Sequence, residues 1–199
     1  MIETIDERIA LPVGEIALTR PRDSEALLTE EGFEREEFLP YWAELWSSSI
    51  ALAHDLARRS LRCARVLELG CGLGLPSIAA TLAGGRVLAT DWSPDAVRAA
   101  GDNARRNSVE LETALVDWAH PDELIRCAPF DLALAADVLY ETGSVAALLA
   151  LLPRIAPEAW LADPGRPAAT AFVDEARRRG WGVETTLRGV VQIHRLQLG

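Results

Sequence analysis

From about residue 64 onward, short apolar or β-branched runs alternate with longer stretches of helical periodicity. No other feature restricts the fold as strongly, because strands joined by crossover helices assemble into a mostly parallel sheet with helices on both faces. Strands are expected at 64–69, 86–91, 110–116, 130–137 and 159–163, and helices at 75–84, 93–107, 120–127, 144–155 and 166–180. Pro76, Pro94 and Pro167 fall early in their helices, Ser93 is placed to cap one, and Gly84 and Gly180 stand where helices end. The tail WGVETTLRGVVQIHRLQL has two β-like runs broken at Arg188 and Gly189 and is expected to close the sheet edge as an antiparallel hairpin. The expectation is an α/β fold of seven strands, five parallel plus that hairpin, in a core at 64–199. In the extension at 1–40, IALPVGEIALT reads as a small hairpin, and residues 41–60 read as a helix that begins near Tyr41 and covers the sheet. A chain of 199 residues with 49% hydrophobic content suits one domain.

Chemistry concentrates in the turn after the first core strand. In VLELGCGLGLPSIAA, Gly70, Gly72 and Gly74 lie at alternate positions between strand and helix. Glycine there permits positive φ and lets a ligand approach where a Cβ would collide, and the amides at the helix start favour an anionic group. The dinucleotide pattern G-x-G-x-x-G is absent: the third glycine would fall on Leu75 counting from Gly70 and on Ser77 counting from Gly72. Asp91 ends the second core strand, where a carboxylate can accept hydrogen bonds from both hydroxyls of a ribose, and Trp92 beside it can cover a base. Asp117 and Trp118 follow the third core strand; Asp117 also suits a cap for the segment starting at His120.

Composition removes several functions. The net charge of −10 opposes binding to a nucleic-acid backbone, which draws on clustered cations. Residues 1–40 carry eleven acids against four arginines, a run that reads as a solvated face. All 20 basic residues are arginine, which excludes Schiff-base lysine chemistry and the P-loop lysine. Cys63, Cys71 and Cys127 form no C-x-x-C pair, and His54, His120 and His194 lack metal-ligand spacing, so free thiols and no metal are expected. No apolar run reaches the roughly 20 residues of a membrane helix, and the acidic start is unlike a signal peptide, so a cytoplasmic protein is expected.

The remaining pattern, E-x-G-x-G-x-G over Glu68 to Gly74, resembles the first motif of class I S-adenosylmethionine-dependent methyltransferases. Three further pieces resemble the seven-β-strand protein-methylating group that includes the electron-transfer-flavoprotein β-subunit lysine methyltransferase. These are PYWAELWSSSIALA before the core, ADVLYE with its D-x-x-Y spacing after the fourth core strand, and LADPGRP after the fifth. The likeness runs from about Leu39 to Pro167 and departs at Ser47 and Ser48, where a proline is common.

The resemblance implies a Rossmann-like methyltransferase sheet and S-adenosylmethionine as cofactor. It places Trp46, Glu68, Gly70, Gly72, Gly74, Asp91, Trp92, Asp117 and Trp118 around that cofactor. Glu68 would bind its amine and Asp117 its adenine amino group. Asp137 and Tyr140, with Glu141 as a lesser candidate, would meet the acceptor. The implied activity is N-methylation, first of a lysine side chain on a protein, with arginine or a small-molecule amine as alternatives and a non-catalytic cofactor-binding partner as a third. A nucleobase acceptor fits poorly, since ADVLY lacks the [DN]-P-P-[YF] pattern that holds a flipped base. No nucleic-acid or membrane partner is implied, and a monomer or weak homodimer is expected.

Overall fold

The computed structural model describes residues 2–27, 40–140 and 142–199. The five glutamates between 30 and 37 in the acidic run, and Glu141, lie outside the described residues.

Two strands, β1 (Thr4–Leu11) and β2 (Gly14–Pro21), form an antiparallel hairpin longer than the sequence suggests. Helix α1 (Ser47–Leu56) precedes the core, which runs β3 (Arg65–Leu69), α2 (Leu75–Leu82), β4 (Arg86–Asp91), α3 (Pro94–Arg106), β5 (Glu112–Leu115), α4 (Asp122–Cys127), β6 (Leu132–Ala136), α5 (Thr142–Ile155), β7 (Glu158–Asp163), α6 (Pro167–Arg178), β8 (Trp181–Arg188) and β9 (Val191–Leu198). The large sheet has the order β5-β4-β3-β6-β7-β9-β8. Its first five strands are parallel, and β9 lies antiparallel to both β7 and β8. Strand order therefore reverses between β3 and β6, and in such sheets a crevice forms at the carboxyl ends beside that reversal.

The pleat divides each central strand between two apolar layers. Leu67, Leu69, Ala133, Ala135, Ala159 and Leu161 pack with residues of α5 and α6, including the fully buried Phe172. Val66, Leu132, Leu134 and Trp160 pack on the opposite face with Leu52 and Leu56 of α1. Every residue of β6 is buried, as expected of a strand covered on both faces. Burying a leucine such as Leu52 contributes about 2 kcal/mol, so α1 is held mainly by its apolar face.

The segment before the core corrects one expectation. Tyr41–Ala43 forms only a short 3-10 turn, Glu44 and Trp46 are extended, and the helix begins at Ser47. Two side chains account for the interruption. Glu44 is drawn to Arg20 of β2 at 3.3 Å, and Trp46 turns back so that its Nε1 donates to the Tyr41 carbonyl at 2.9 Å. Trp46 thus stands before the helix rather than inside it.

The hairpin rests on the core through Ile9, Leu11, Ile16 and Leu18, which pack with Leu75, Ile78 and Ala104. Asn103 on α3 and Asn107 at its C-cap satisfy the outer edge of β2 by accepting from Thr19 N at 2.8 Å and Ala17 N at 2.9 Å. Asn103 also donates to the Leu73 carbonyl at 3.0 Å, which ties the hairpin to the glycine turn.

Candidate active site

The cleft beside the strand reversal has a volume of about 1250 Å³. The carboxyl ends of all five parallel strands contribute to its wall: Gly70 to Gly72 after β3, Asp91 to Ser93 after β4, Val116 to Trp118 after β5, Ala136 to Val138 after β6, and Arg166 after β7. Tyr41, Trp42 and Trp46 close one side.

The three glycines do different things. Gly70 and Gly72 line the cleft and Gly74 does not. Gly72 has φ +49, and a Cβ there would lie 3.2 Å from the Trp42 carbonyl, so this glycine lets the segment before the core cross the turn. Gly74 has φ +81, and its added Cβ would meet the Ala100 Cβ at 2.9 Å. The gap it leaves is filled by α3 rather than by a ligand.

Four amides of this turn are likewise committed internally. Gly70 N and Cys71 N both donate to the Thr90 carbonyl at 2.9 Å, Gly74 N donates to the Cys71 carbonyl at 2.8 Å, and Gly72 N donates to Asp91 Oδ2 at 3.0 Å. The start of α2 already holds a buried carboxyl of its own. Glu68, 1% exposed, accepts from the hydroxyl and the backbone amide of Ser77. The expected anionic ligand at the helix start is thus replaced by a protein carboxyl, and Glu68 stands behind the turn without lining the cleft. Burial raises its pKa to about 8, opposed by the hydrogen bonds from Ser77 and reinforced by nearby Asp91.

Asp91 reaches the cleft wall at 6% exposure. Its Oδ1 accepts from Ser93 N at 3.0 Å and its Oδ2 from Gly72 N, which fixes the carboxyl plane while leaving each oxygen further acceptor capacity. Burial pushes its pKa above the ordinary aspartate value against those amides. Trp92 is exposed at the same corner. Asp117 does not cap α4, whose N-terminal cap position is Pro121 without a side-chain bond. Its carboxylate accepts from Ala119 N at 2.8 Å and pairs with His120 Nδ1 at 3.0 Å, which holds its pKa below the usual range, and it lines the cleft with Trp118. Trp118 also packs on the core.

Asp137 directly follows β6 in the left-handed region, φ +59, at 7% exposure. Its setting differs from the accessible carboxylate expected of an acceptor contact. Oδ1 is paired with Arg166 Nη1 at 2.7 Å, and Oδ2 is buried without a hydrogen-bond partner. The same Arg166 nitrogen bonds Asp163 Oδ2 at 2.9 Å, while Asp163 Oδ1 accepts from Gly165 N and Arg166 N at 2.8 and 2.7 Å. Burial disfavours the Arg166 cation, but its bonds to Asp137 and Asp163 outweigh that and raise its pKa. The sequence alone gives no role to Arg166. Its only local signal was the spacing of Asp163 and Arg166 in D-P-G-R-P, which suits a turn folded onto its own acid. Tyr140 lies 44% exposed on the cleft wall, its ring 5.5 Å from that of Tyr41.

Among the described residues no group of three His, Cys, Asp or Glu is placed to hold a metal, and no helix is long and apolar enough to cross a membrane.

Comparison with known proteins identifies the family and the fold. The chain is 31% identical over 115 residues to the histidine protein methyltransferase 1 homolog of Dictyostelium discoideum, covering 55% of this chain and 37% of that protein. It is 31% identical over 114 residues to the histone-arginine methyltransferase METTL23 of Homo sapiens, covering 54% of this chain and 60% of that protein. The chain therefore spans less than two thirds of the length of these curated relatives. The fold matches that of magnesium protoporphyrin IX methyltransferase from Synechocystis PCC 6803, solved with bound SAM, at a TM-score of 0.62 and 19% identity over 89% of this chain and 98% of that one. The sequence profile described as lysine methyltransferase matches residues 40–159, more than half of the chain, and the chain belongs to that family.

Proposed function

We propose that this chain is an S-adenosylmethionine-dependent N-methyltransferase whose acceptor is a lysine side chain of a protein. The observation that carries the reading is the division of the cleft. One end holds the buried, doubly anchored Asp91; the other is lined by Asp137 and Arg166, with Asp163 behind them on the same guanidinium.

The residues present fit the cofactor. Asp91 offers fixed acceptors suited to ribose hydroxyls, Trp92 and Trp118 offer ring surface beside it, and Asp117 stands where an exocyclic amine can donate. With the amides of Gly70, Cys71, Gly72 and Gly74 bonded internally, the turn is a poor cradle for a pyrophosphate. The bound form of the structural neighbour is in keeping with this assignment. When bound, S-adenosylmethionine supplies a sulfonium methyl that moves in line to a nitrogen lone pair while the C–S electron pair stays on sulfur.

The chain's own work is then to bind, orient and dehydrate the acceptor. Two buried carboxylates against one arginine leave one negative charge at the end of the cleft, a site that favours a cation. A lysine amine has a reference pKa of about 10.4, so near neutral pH only about one in 2,500 is unprotonated, a deficit of roughly 4.6 kcal/mol. The proton leaves to water before the lone pair can react, and on this reading Tyr140, which lines the cleft, orients the nitrogen. Three free thiols suit a reducing, cytoplasmic setting.

Incubation with methyl-labelled cofactor and a lysate of the source cells, followed by acid hydrolysis, tests the acceptor. Label in methyl-lysine on a discrete protein band supports the proposal. Label in methyl-arginine, or in small molecules alone, transfers the assignment to those acceptors.

A further inference from the structure

A second cavity, of about 530 Å³, lies outside the cleft in the groove between α1 and the turn that joins β8 to β9. The first turn of α1 separates the two: Trp46 and Ser49 line the cleft, whereas Ser47 and Ile50 line the groove. A polypeptide leaving the cleft over this turn enters the groove. From Ser47 the groove follows the helix to Arg58, about 16 Å, which is the reach of about five extended residues.

The groove combines apolar surface with positive charge. Ile50, Val190 and Val191 supply the first, and Val190 is 76% exposed, the highest value for a large apolar side chain among the described residues. Only Gly189, at φ +63, needs its residue type for the turn, so turn chemistry does not account for the valine beside it. The charge comes from Arg58 and Arg188, and no acid is among the described lining residues. Arg188 is held rigid by Asp55, which it shares with Arg195, so the positive charge there exceeds the negative. Arg58 folds back so that Nη1 donates to the His54 carbonyl at 2.9 Å. Its Nε and Nη2, the side-on fork that matches a carboxylate, have no acceptor among the described residues. The cleft across the helix turn has the opposite sign, five acids against Arg166, in a chain of net charge −10.

We propose that this groove is a docking site for the protein acceptor and binds a short segment that carries an apolar side chain and a carboxylate close to the methylated lysine. The inference rests on the protein-methylating reading above. The lysine enters the acidic cleft, the segment crosses the first turn of α1, the apolar side chain packs on Ile50 and Val190, and the carboxylate meets Arg58. Two adjoining cavities of opposite charge select an acceptor with the matching order of charges and repel one with a second cation at that distance.

The probe is the peptide acetyl-LELEE-amide, with acetyl-LQLQQ-amide as its uncharged counterpart. Each is titrated into nitrogen-15-labelled protein with S-adenosylhomocysteine present, and the amide NMR signals of Ala51 and Val190 are followed. Saturable shifts with the glutamate peptide are expected, at least about tenfold weaker with the glutamine peptide and in Arg58→Glu. With labelled cofactor and dilute cell lysate, Arg58→Glu and Val190→Asp should each label the acceptor band about tenfold more slowly than the wild type. The rate should recover as the lysate is concentrated, the mark of a KM effect. Equal S-adenosylhomocysteine affinity in all three proteins shows that the variants are folded. No saturable shift with the glutamate peptide, equal binding of the glutamine peptide, or wild-type labelling rates in both variants overturns the docking site while the methyltransferase reading stands. The same shifts on raising the protein concentration alone would give the groove to a second copy of the chain and overturn the proposal likewise. If the wild type labels no protein, the acceptor reading falls, and this inference with it.

Discussion

Two buried aspartates, Asp55 and Asp137, show how pairing separates scaffold from site. Asp55, on α1 and 3% exposed, accepts from Arg188 at 2.7 and 3.2 Å and from Arg195 at 2.9 Å. Arg195 in turn lies 4.2 Å over the Trp160 ring, so the cluster clasps α1 to the terminal hairpin. One acid meets two guanidinium groups. At Asp137 the ratio is reversed: one guanidinium serves two acids, an oxygen has no partner, and the backbone holds a left-handed conformation. Over-compensation away from the cleft makes a structural clasp; under-compensation at the cleft wall leaves the negative charge on which the proposed acceptor site rests.

The largest effect expected from breaking this contrast is on stability. Asp55→Ala leaves two arginines facing each other, partly relieved by their access to water, and should cost about 3 kcal/mol. A melting temperature lower by roughly 6–12 °C, with unchanged S-adenosylhomocysteine affinity, is the expected pair of readings. Loss of cofactor affinity in that variant would erase the distinction. At the other cluster, asparagine preserves size and tolerates the left-handed backbone, so Asp137→Asn removes charge with little else. Transfer should fall about tenfold to a hundredfold, roughly 1.4–2.7 kcal/mol, with cofactor affinity and melting temperature nearly unchanged. A full rate in Asp137→Asn removes the cluster from the function.

The smallest effect sharpens the contrast with a third acid, Glu68, whose charge is suppressed by burial rather than paired. With its folded-state pKa raised to about 8, the unfolded chain releases this proton first, so the contribution is complete below the ordinary carboxyl range and is lost as pH rises toward 8. Glu68→Gln should therefore gain stability relative to the wild type across that window, on the order of 1 kcal/mol per pH unit crossed. Thermal unfolding at successive pH values checks this; parallel curves for the two proteins would refute the buried-acid account.

Much of the fold was legible because its signals are local. Glycine and proline punctuate each βα unit, and every core strand lies within two residues of its expected bounds. Asp91 was legible for the same reason, as the acid ending a strand. What escaped depends on partners remote in sequence. The helix expected from Tyr41 starts at Ser47 because Arg20 and the Tyr41 carbonyl hold Glu44 and Trp46 in an extended chain. Gly74 reads as ligand clearance until Ala100 is seen to occupy the space. Glu68 reads as a cofactor contact until the pleat turns it toward Ser77. Arg166 gains meaning only when β6 and β7 pair side by side and bring Asp137 to it.

The central claim is that the cleft between Gly72, Asp91 and Asp117 accepts a sulfur-bearing nucleoside. Calorimetric titration of S-adenosylhomocysteine into the purified chain tests it most directly. The account predicts saturable binding at one site, weakened at least about tenfold by Asp91→Ala, as expected when a buried acceptor pair for the ribose is removed. Absence of heat with folded wild-type protein, or equal affinity in Asp91→Ala, would contradict it.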